Sequence, residues 1–437
     1  MLANVVEVKI TPDFPALMGG FPSPVDRFAT GVHDDLWAHC FYMKTNDGEE
    51  FGIVIMDLLY YSKMRVKIMR AKIEARTGIP SDHINVYCTH THSGPITIAY
   101  YDKYAERDML YPHYLDEIEY KVAEAFVKGQ AEAFPAMIGS GKGHCGKEQN
   151  VGGNRRDKDG PCDPAVWVTA IKDLAGNPRG AIVRYSLHPT FRGADNTLIS
   201  CDYPHYLYQT LKEKFPGIGV GFQNGTSGDQ SSRHFRSGTT FEEAQRVGSA
   251  IGREAIRVIE SISYNEDPVI RFLKTEVVPD KKVILPYEEA LAAAEKARND
   301  LKVARESGRP VAECRTLECT VFGAEHMLKY ATIGKDVVYA QNGEHPFEIS
   351  LVVIDDLRML GSQAELFVKY MHKMYDMSPF EKTYITCCAN GRGKGYLCPP
   401  EAHAEGGYEA LGSIYTEKNG DMVLDAMMEL LEKSKEM

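Results

Sequence analysis

The sequence predicts an α/β fold: mixed, largely parallel sheets flanked by helices, with a metal site at the strand carboxyl ends and a helical hairpin excursion. Three observations predict it. Near-continuous apolar runs such as residues 51–56 (FGIVIM) mark strands buried on both faces. The run at 84–88 (INVYC) follows a single helix, and one crossover helix between two short strands implies parallel pairing. Polar residues of unusual type stand directly after the predicted strands, where open α/β sheets bind ligands.

Taken in order, Ser62 is placed to cap a helix over 63–76, in which Val66, Met69 and Ile73 share one side and Gly78 ends the run. Residues 112–128 read as an amphipathic helix. Residues 181–187 (AIVRYSL) and 217–223 read as strands, the second glycine-rich and so suited to close backbone approach. Thr240 to Glu243 (TFEE) is a capping box opening a helix to about residue 261. Residues 349–354 and 357–360 form a hairpin around Asp355-Asp356. Residues 382–388 are a late strand with Cys387 and Cys388 on alternate faces. The stretch 287–307 is rich in Ala, Glu, Lys and Arg between Pro286 and Gly308, and a second helix covers 317–330. Residues 286–333 therefore read as a helical hairpin belonging to one large unit, 1–437. Its charges read as a solvated face rather than a binding surface.

Composition bounds the function. The 437 residues are 43% hydrophobic and 25% charged, which excludes a disordered or fibrous chain. Lys and Arg total 50 against 61 Asp and Glu, a net charge of -11, the wrong sign for a partner of duplex DNA or an anionic membrane. No apolar run approaches the ~18 residues of a membrane span. The start, MLANVVEVKITPDF, has neither a basic n-region nor a long apolar h-region. The expectations are a small-molecule substrate, no nucleic acid, no membrane span, no secretory signal and a cytoplasmic location; oligomeric state is left open. Ten cysteines read as free thiols, and the lack of a CxxC pair excludes a zinc ribbon.

The strand ends carry the chemistry. Strand 84–88 runs into Thr89-His90-Thr91-His92-Ser93-Gly94-Pro95, and 181–187 into His188-Pro189-Thr190. Strand 217–223 leads to Gly228-Asp229-Gln230-Ser231, 357–360 to Gly361-Ser362-Gln363-Ala364-Glu365, and 382–388 to a glycine-rich loop ending at Tyr396. Neutral imidazole with carboxylate suits Zn²⁺, and a catalytic zinc keeps one position open for water. If the chain is extended there, His90 and His92 share a face about 7 Å apart; either one ligates and the other works beside the metal, or both ligate. HExxH, GxSxG and Walker patterns are absent, so the chain is no zincin, serine-elbow hydrolase or P-loop protein. Asn154-Arg155-Arg156, in a loop rich in Gly and Asp, suits an anion or a substrate carbonyl.

THTHSGP after a strand, an Asn-Arg loop, a His-Pro-Thr strand end, a Gly-Asp-x-Ser loop and a late Glu and Tyr occur in that order. Together they resemble the catalytic domain of the neutral/alkaline, non-lysosomal ceramidase family. Ile10-Thr11-Pro12, residues 31–36 (GVHDDL) and a strand ending at Asp57 extend the resemblance from about residue 7 to 415. It implies zinc ligands at His90, His188, Glu365 and Tyr396. It implies His92 beside the metal, handling substrate or protons, with Arg155, Ser231 and Tyr408 as further catalytic residues. The chain departs from the family where Gly361 to Glu365 replaces a Pro-Gly-Glu pattern, and where Ser232 replaces a proline. Glu365 also opens a helix-like run (AELFVKYMHKMY).

The function implied is zinc-dependent hydrolysis of a linear N-acyl amide bond by metal-activated water. His92 is expected to shuttle the proton and to titrate near neutral pH, Arg155 and Tyr408 to stabilise the oxyanion, and Ser231 to position the water or the scissile group. Export signals and a C-terminal β-sandwich, usual in the family, are not expected here. The stretch after Pro95, residues 96–102 (ITIAYYD), also differs. A soluble ceramide-like or smaller N-acyl substrate is therefore expected rather than long-chain ceramide. The alternatives are an esterase or lactonase with the same zinc site, or a non-catalytic metal-containing binding protein. The second needs only ligands and leaves His92, Arg155, Ser231 and Tyr408 unexplained.

Overall fold

The computed structural model describes residues 1–21, 26–98, 111–341, 346–393 and 395–436. Residues 99–102 of the stretch after Pro95 lie outside the described residues, as does Lys394. The main sheet has eight strands, in the order Gly219–Asn224, Pro178–Tyr185, Ala165–Asp173, Phe134–His144, Leu2–Lys9, Trp37–Lys44, Glu50–Met56 and Ile84–Cys88. A second sheet has four, Ile270–Val277, Phe347–Ile354, Leu357–Gly361 and Lys382–Thr386. The fold is mixed α/β as expected, but the sheets are not largely parallel. The main sheet is parallel only at its two ends, where Gly219–Asn224 meets Pro178–Tyr185 and Glu50–Met56 meets Ile84–Cys88. Every pair between is antiparallel. In the second sheet only Leu357–Gly361 and Lys382–Thr386 run parallel.

The physical reason is that burial on both faces does not set direction. Glu50–Met56 is buried from its second residue onward, yet it has an antiparallel neighbour on one side and a parallel one on the other. The apolar runs also pass over Leu2–Lys9, Trp37–Lys44, Phe134–His144 and Ala165–Asp173, which form the antiparallel middle. The three parallel pairs of these two sheets are nonetheless the ones whose carboxyl ends lead to His90, His188, Glu365 and Cys388.

The segment leaving the second sheet bonds to both edge strands of the first. Just past Lys382–Thr386, the Cys387 N–H donates to the Asn224 carbonyl, the Cys88 N–H to the Cys388 carbonyl, and the Asn390 N–H to the Val86 carbonyl. The Asn390 side chain also accepts from the Val86 N–H and donates to Asn85. Cys387 and Cys388 therefore lie beyond the strand rather than on its two faces. Both are buried, and Cys388 takes the left-handed conformation (φ 57°) that turns the chain inward.

Helices flank the sheets. Lys63–Thr77 begins at Ser62, whose hydroxyl accepts from the Arg65 N–H, and ends at Gly78 with φ 79°. Phe241–Ser261 starts at Thr240, which accepts from the Glu243 N–H, and buries Val247, Ile251, Val258 and Ile259 on one stripe. Tyr203–Lys214, not foreseen, is fixed by Asp202 at its N-cap. The hairpin is Tyr287–Glu306 followed by Val311–Ile333, the second helix starting directly after Pro310 and so longer than expected. Ala294, Ala297 and Leu301 pack on Val321 and Ala324 in a small core of their own. Arg298–Glu325 and Arg305–Glu318 pairs lie on the exposed side. Among the described residues no helix is long and apolar enough to cross a membrane.

Candidate metal centre and active site

His90 follows its strand with φ 68°, and that left-handed turn redirects the chain. The extended arrangement with the two imidazoles about 7 Å apart does not occur. Instead His92 Nε2 lies 3.4 Å from His90 Nε2. His90 Nδ1 is bonded to the Leu59 carbonyl at 3.0 Å, and His188 Nδ1 to the Ser227 carbonyl at 2.7 Å. A carbonyl accepts only, so in both rings Nδ1 carries the proton and Nε2 presents its lone pair inward, the tautomer a metal ligand needs. His92 is held from the other side. Its carbonyl accepts from Arg27 at 2.7 Å, and its ring packs against Gly20 (φ 97°), where a Cβ would collide with the imidazole.

Glu365 reaches the same point. It lies in a two-residue bridge, Glu365–Leu366, paired in parallel with Tyr396–Leu397, and the helix begins only at Val368. The expectation that Glu365 opens the helix is thus corrected: the pairing with Tyr396 keeps it extended. Gly228 permits the close packing behind it, since a Cβ there would stand 2.9–3.0 Å from the Glu365 and Leu366 carbonyls. Glu365 Oε2 is 3.0 Å from His188 Nε2 and 3.3 Å from His90 Nε2, while Tyr60 donates its hydroxyl to Oε1. Ligands at ~2.0–2.1 Å from a tetrahedral zinc stand about 3.3–3.4 Å apart, so these spacings match tetrahedral edges.

The donor set fits a cation. The ligand atoms of His90, His92 and His188 all lie within 4.8 Å of one another. His188 Nε2, Glu365 Oε2 and His92 Nδ1 are buried without a hydrogen-bond partner. Buried polar atoms left unmatched cost about 1–3 kcal/mol each, and a divalent ion held by His188 Nε2 and Glu365 Oε2 would relieve that cost at both. Burial, then the neighbouring His90 and His188, push the His92 imidazole well below its ordinary range, which corrects the expectation of titration near neutral pH. Burial and Arg155 lower His188 to about 4. For Glu365 burial acts upward, but His90 and His188 outweigh it and hold the carboxyl well below its usual range. Neutral imidazoles around a carboxylate are the ligating forms.

The remaining candidates form a second layer. Arg155 sits over the Tyr396 ring, 5.3 Å from its centroid, and Tyr396 meets Tyr408 edge-on at 5.7 Å. Arg155 Nε donates to Glu409 at 2.8 Å, leaving Nη2 buried without a partner. Ser231 lies in the bridge Gln230–Ser231, paired with Gly153–Asn154. Its hydroxyl accepts from the Arg233 N–H at 3.2 Å, and among the described residues no imidazole or carboxylate bonds to it, so no base is in place to activate it as a nucleophile. Asp229 ties this loop to Asn154 and to the Val368 N–H, both at 2.9 Å, and burial raises it to about 6. Sequence reasoning missed Tyr60, Gly20, Arg27 and Glu409. Glu409 was within reach, since it stands beside Tyr408; the others are joined to the site only by folding.

Fold and donor cluster together define a mixed α/β protein built around a buried imidazole–carboxylate centre. No protein-family model matches the chain. It is 25% identical over 237 residues to neutral ceramidase A of Dictyostelium discoideum, covering 49% of this chain and 33% of that protein. It is 25% identical over 229 residues to the neutral ceramidase of Pseudomonas aeruginosa, covering 48% and 33%. Its fold matches a solved ceramidase complexed with C2 (TM-score 0.74, 18% identity, 100% of this chain and 75% of that one). It also matches the crystal structure of neutral ceramidase from Pseudomonas aeruginosa (TM-score 0.71, 16% identity, 99% and 74%). The chain is similar to neutral ceramidases, the sequence match covering about half of it and about a third of the curated relatives' length.

Proposed function

We propose that the chain is a zinc-dependent amidohydrolase that cleaves a linear N-acyl bond in a soluble, ceramide-like or smaller substrate. The observation that carries this reading is the approach of Glu365 Oε2 to His188 Nε2 (3.0 Å) and His90 Nε2 (3.3 Å) with no proton donor between them. His90, His188 and Glu365 hold the metal, with Tyr396 brought alongside by its pairing with Glu365. Bound zinc supplies Lewis acidity, polarising a carbonyl and acidifying a water. The chain's own residues do the rest. His92, neutral and facing the cluster, accepts the proton and returns it to the leaving amine. The free Nη2 of Arg155 and the Tyr408 hydroxyl are the donors for charge developing on the carbonyl oxygen. Ser231 positions the scissile group. The whole chain, hairpin included, acts as one catalytic unit. The test is a panel of short N-acyl amides, esters and lactones, with a short-chain ceramide, on zinc-loaded protein. Amide turnover that disappears on chelation and returns with zinc supports the reading; turnover of esters or lactones alone replaces it.

A further inference from the structure

Arg233 stands two residues beyond Ser231, partly buried, where the helical hairpin packs against the site. Its guanidinium makes only neutral contacts: Nη1 donates to the Arg155 carbonyl (3.2 Å) and to the Thr316 hydroxyl (3.1 Å), and Nη2 to Cys319 Sγ (3.2 Å). Three of the neighbouring cations are paired with carboxylates, whereas Arg236 donates to the Thr190 and Phe191 carbonyls. Arg155 and Arg156 share Glu409, Arg156 also takes Glu405, and Arg315 takes Glu318. Among the described residues no carboxylate lies within ion-pair distance of Arg233. An acidic chain, -11 overall, thus keeps a guanidinium without a direct ion-pair partner beside its candidate centre. The hairpin fixes it there. Thr316 also bonds the Arg155 carbonyl, and Gly323 lets the helix backbone close to within van der Waals contact of Tyr408.

We infer that Arg233 is a specificity-determining residue that receives an anionic group of the substrate, a carboxylate or a phosphate, at the side of the site formed by the hairpin. The inference rests on the amidohydrolase reading for the reaction but not for the binding. A planar guanidinium held by neutral acceptors keeps its charge available for an incoming anion. Burial disfavours that charge in the free protein, with Arg155 and Arg315 adding to it and Cys319 and Glu409 opposing, so an anion arriving there relieves a cost.

The test uses the zinc-loaded chain and three matched probes: N-acetyl-β-alanine, N-acetyl-2-aminoethyl phosphate and neutral N-acetylpropylamine. Binding is measured by calorimetry and turnover separately. At least one anionic probe is expected to bind about tenfold or more tightly than the neutral one, the scale of one charged hydrogen bond. Arg233→Gln is expected to remove that preference through KM with zinc content unchanged, and Arg233→Lys to restore part of it. Whichever anion binds names the group. Equal binding of all three probes, or a preference that survives Arg233→Gln, overturns the inference. Should Arg233→Gln not fold, the wild-type comparison and Arg233→Lys decide. Neutral-amide turnover without anion preference ends this inference and leaves the amidohydrolase reading. Arg233-dependent anion binding with no amide turnover does the reverse.

Discussion

Arg155 and Glu409 are 254 residues apart and form a buried ion pair, Nε to Oε1 at 2.8 Å. Glu409 Oε2 also takes Arg156 Nη1 at 3.0 Å, so one carboxylate neutralises two adjacent cations. The pair fixes the Asn154–Arg156 loop between Tyr408–Gly412 and the Gln230–Ser231 bridge. Removing one partner of a buried pair leaves an uncompensated charge, at about 3–5 kcal/mol. Glu409→Gln is expected to lower the urea midpoint accordingly, and Glu409→Asp to lower it less.

Zinc content should follow the proposed ligands. Wild-type protein loaded with zinc and then dialysed is expected to retain about one ion per chain, and His90→Ala and His188→Ala to lose it, by elemental analysis. Unchanged zinc in both variants refutes the ligand assignment.

His92→Ala separates two roles that the geometry alone allows, since His92 stands at a tetrahedral-edge distance from His90. Retained zinc with turnover reduced by about 10²–10⁴ is the expected result, the worth of a general base. Loss of zinc would make His92 a ligand instead.

Gly20→Ala tests the packing behind His92. A Cβ at Gly20 collides with the imidazole, and φ 97° strains any other residue. The expected outcome is a stability loss of about 1–3 kcal/mol with reduced turnover, measured by thermal denaturation beside the activity assay.

Away from the site, buried His39 bridges Glu7 (2.8 Å) and Asp57 (3.5 Å), and Glu7 also takes Lys212. Burial opposes the His39 charge, but Asp57 and Glu7 raise its pKa to about 9. Burial likewise opposes the Glu7 charge, yet His39 and Lys212 lower it to about 2. The His39 contribution is complete below its ordinary pKa and is lost as pH rises through about 9. The Glu7 contribution is present above its ordinary pKa and is lost as pH falls towards about 2. The His39 shift corresponds to about 3 kcal/mol, not additive with that of Glu7 because the pair titrates together. Stability should therefore decline between about pH 6.5 and 9.5, and His39→Gln should flatten that decline in urea titrations.

The sequence by itself named the residues of the candidate centre and much of the local order. Residue types at strand ends named the imidazoles and the carboxylate. Ser62, Gly78 and Thr240 set helix ends, because capping depends on a few neighbouring residues. Apolar runs located the strands buried on both faces. Only the tertiary structure decided strand direction, since a both-face-buried strand reads the same beside a parallel or an antiparallel partner. It also decided that His90 turns left-handed, that Glu365 is held extended by Tyr396, and that Tyr60, Gly20, Arg27 and Glu409 serve the site. Those are contacts across tens to hundreds of residues. Their energies depend on which surfaces meet, and no local pattern in the chain encodes that meeting.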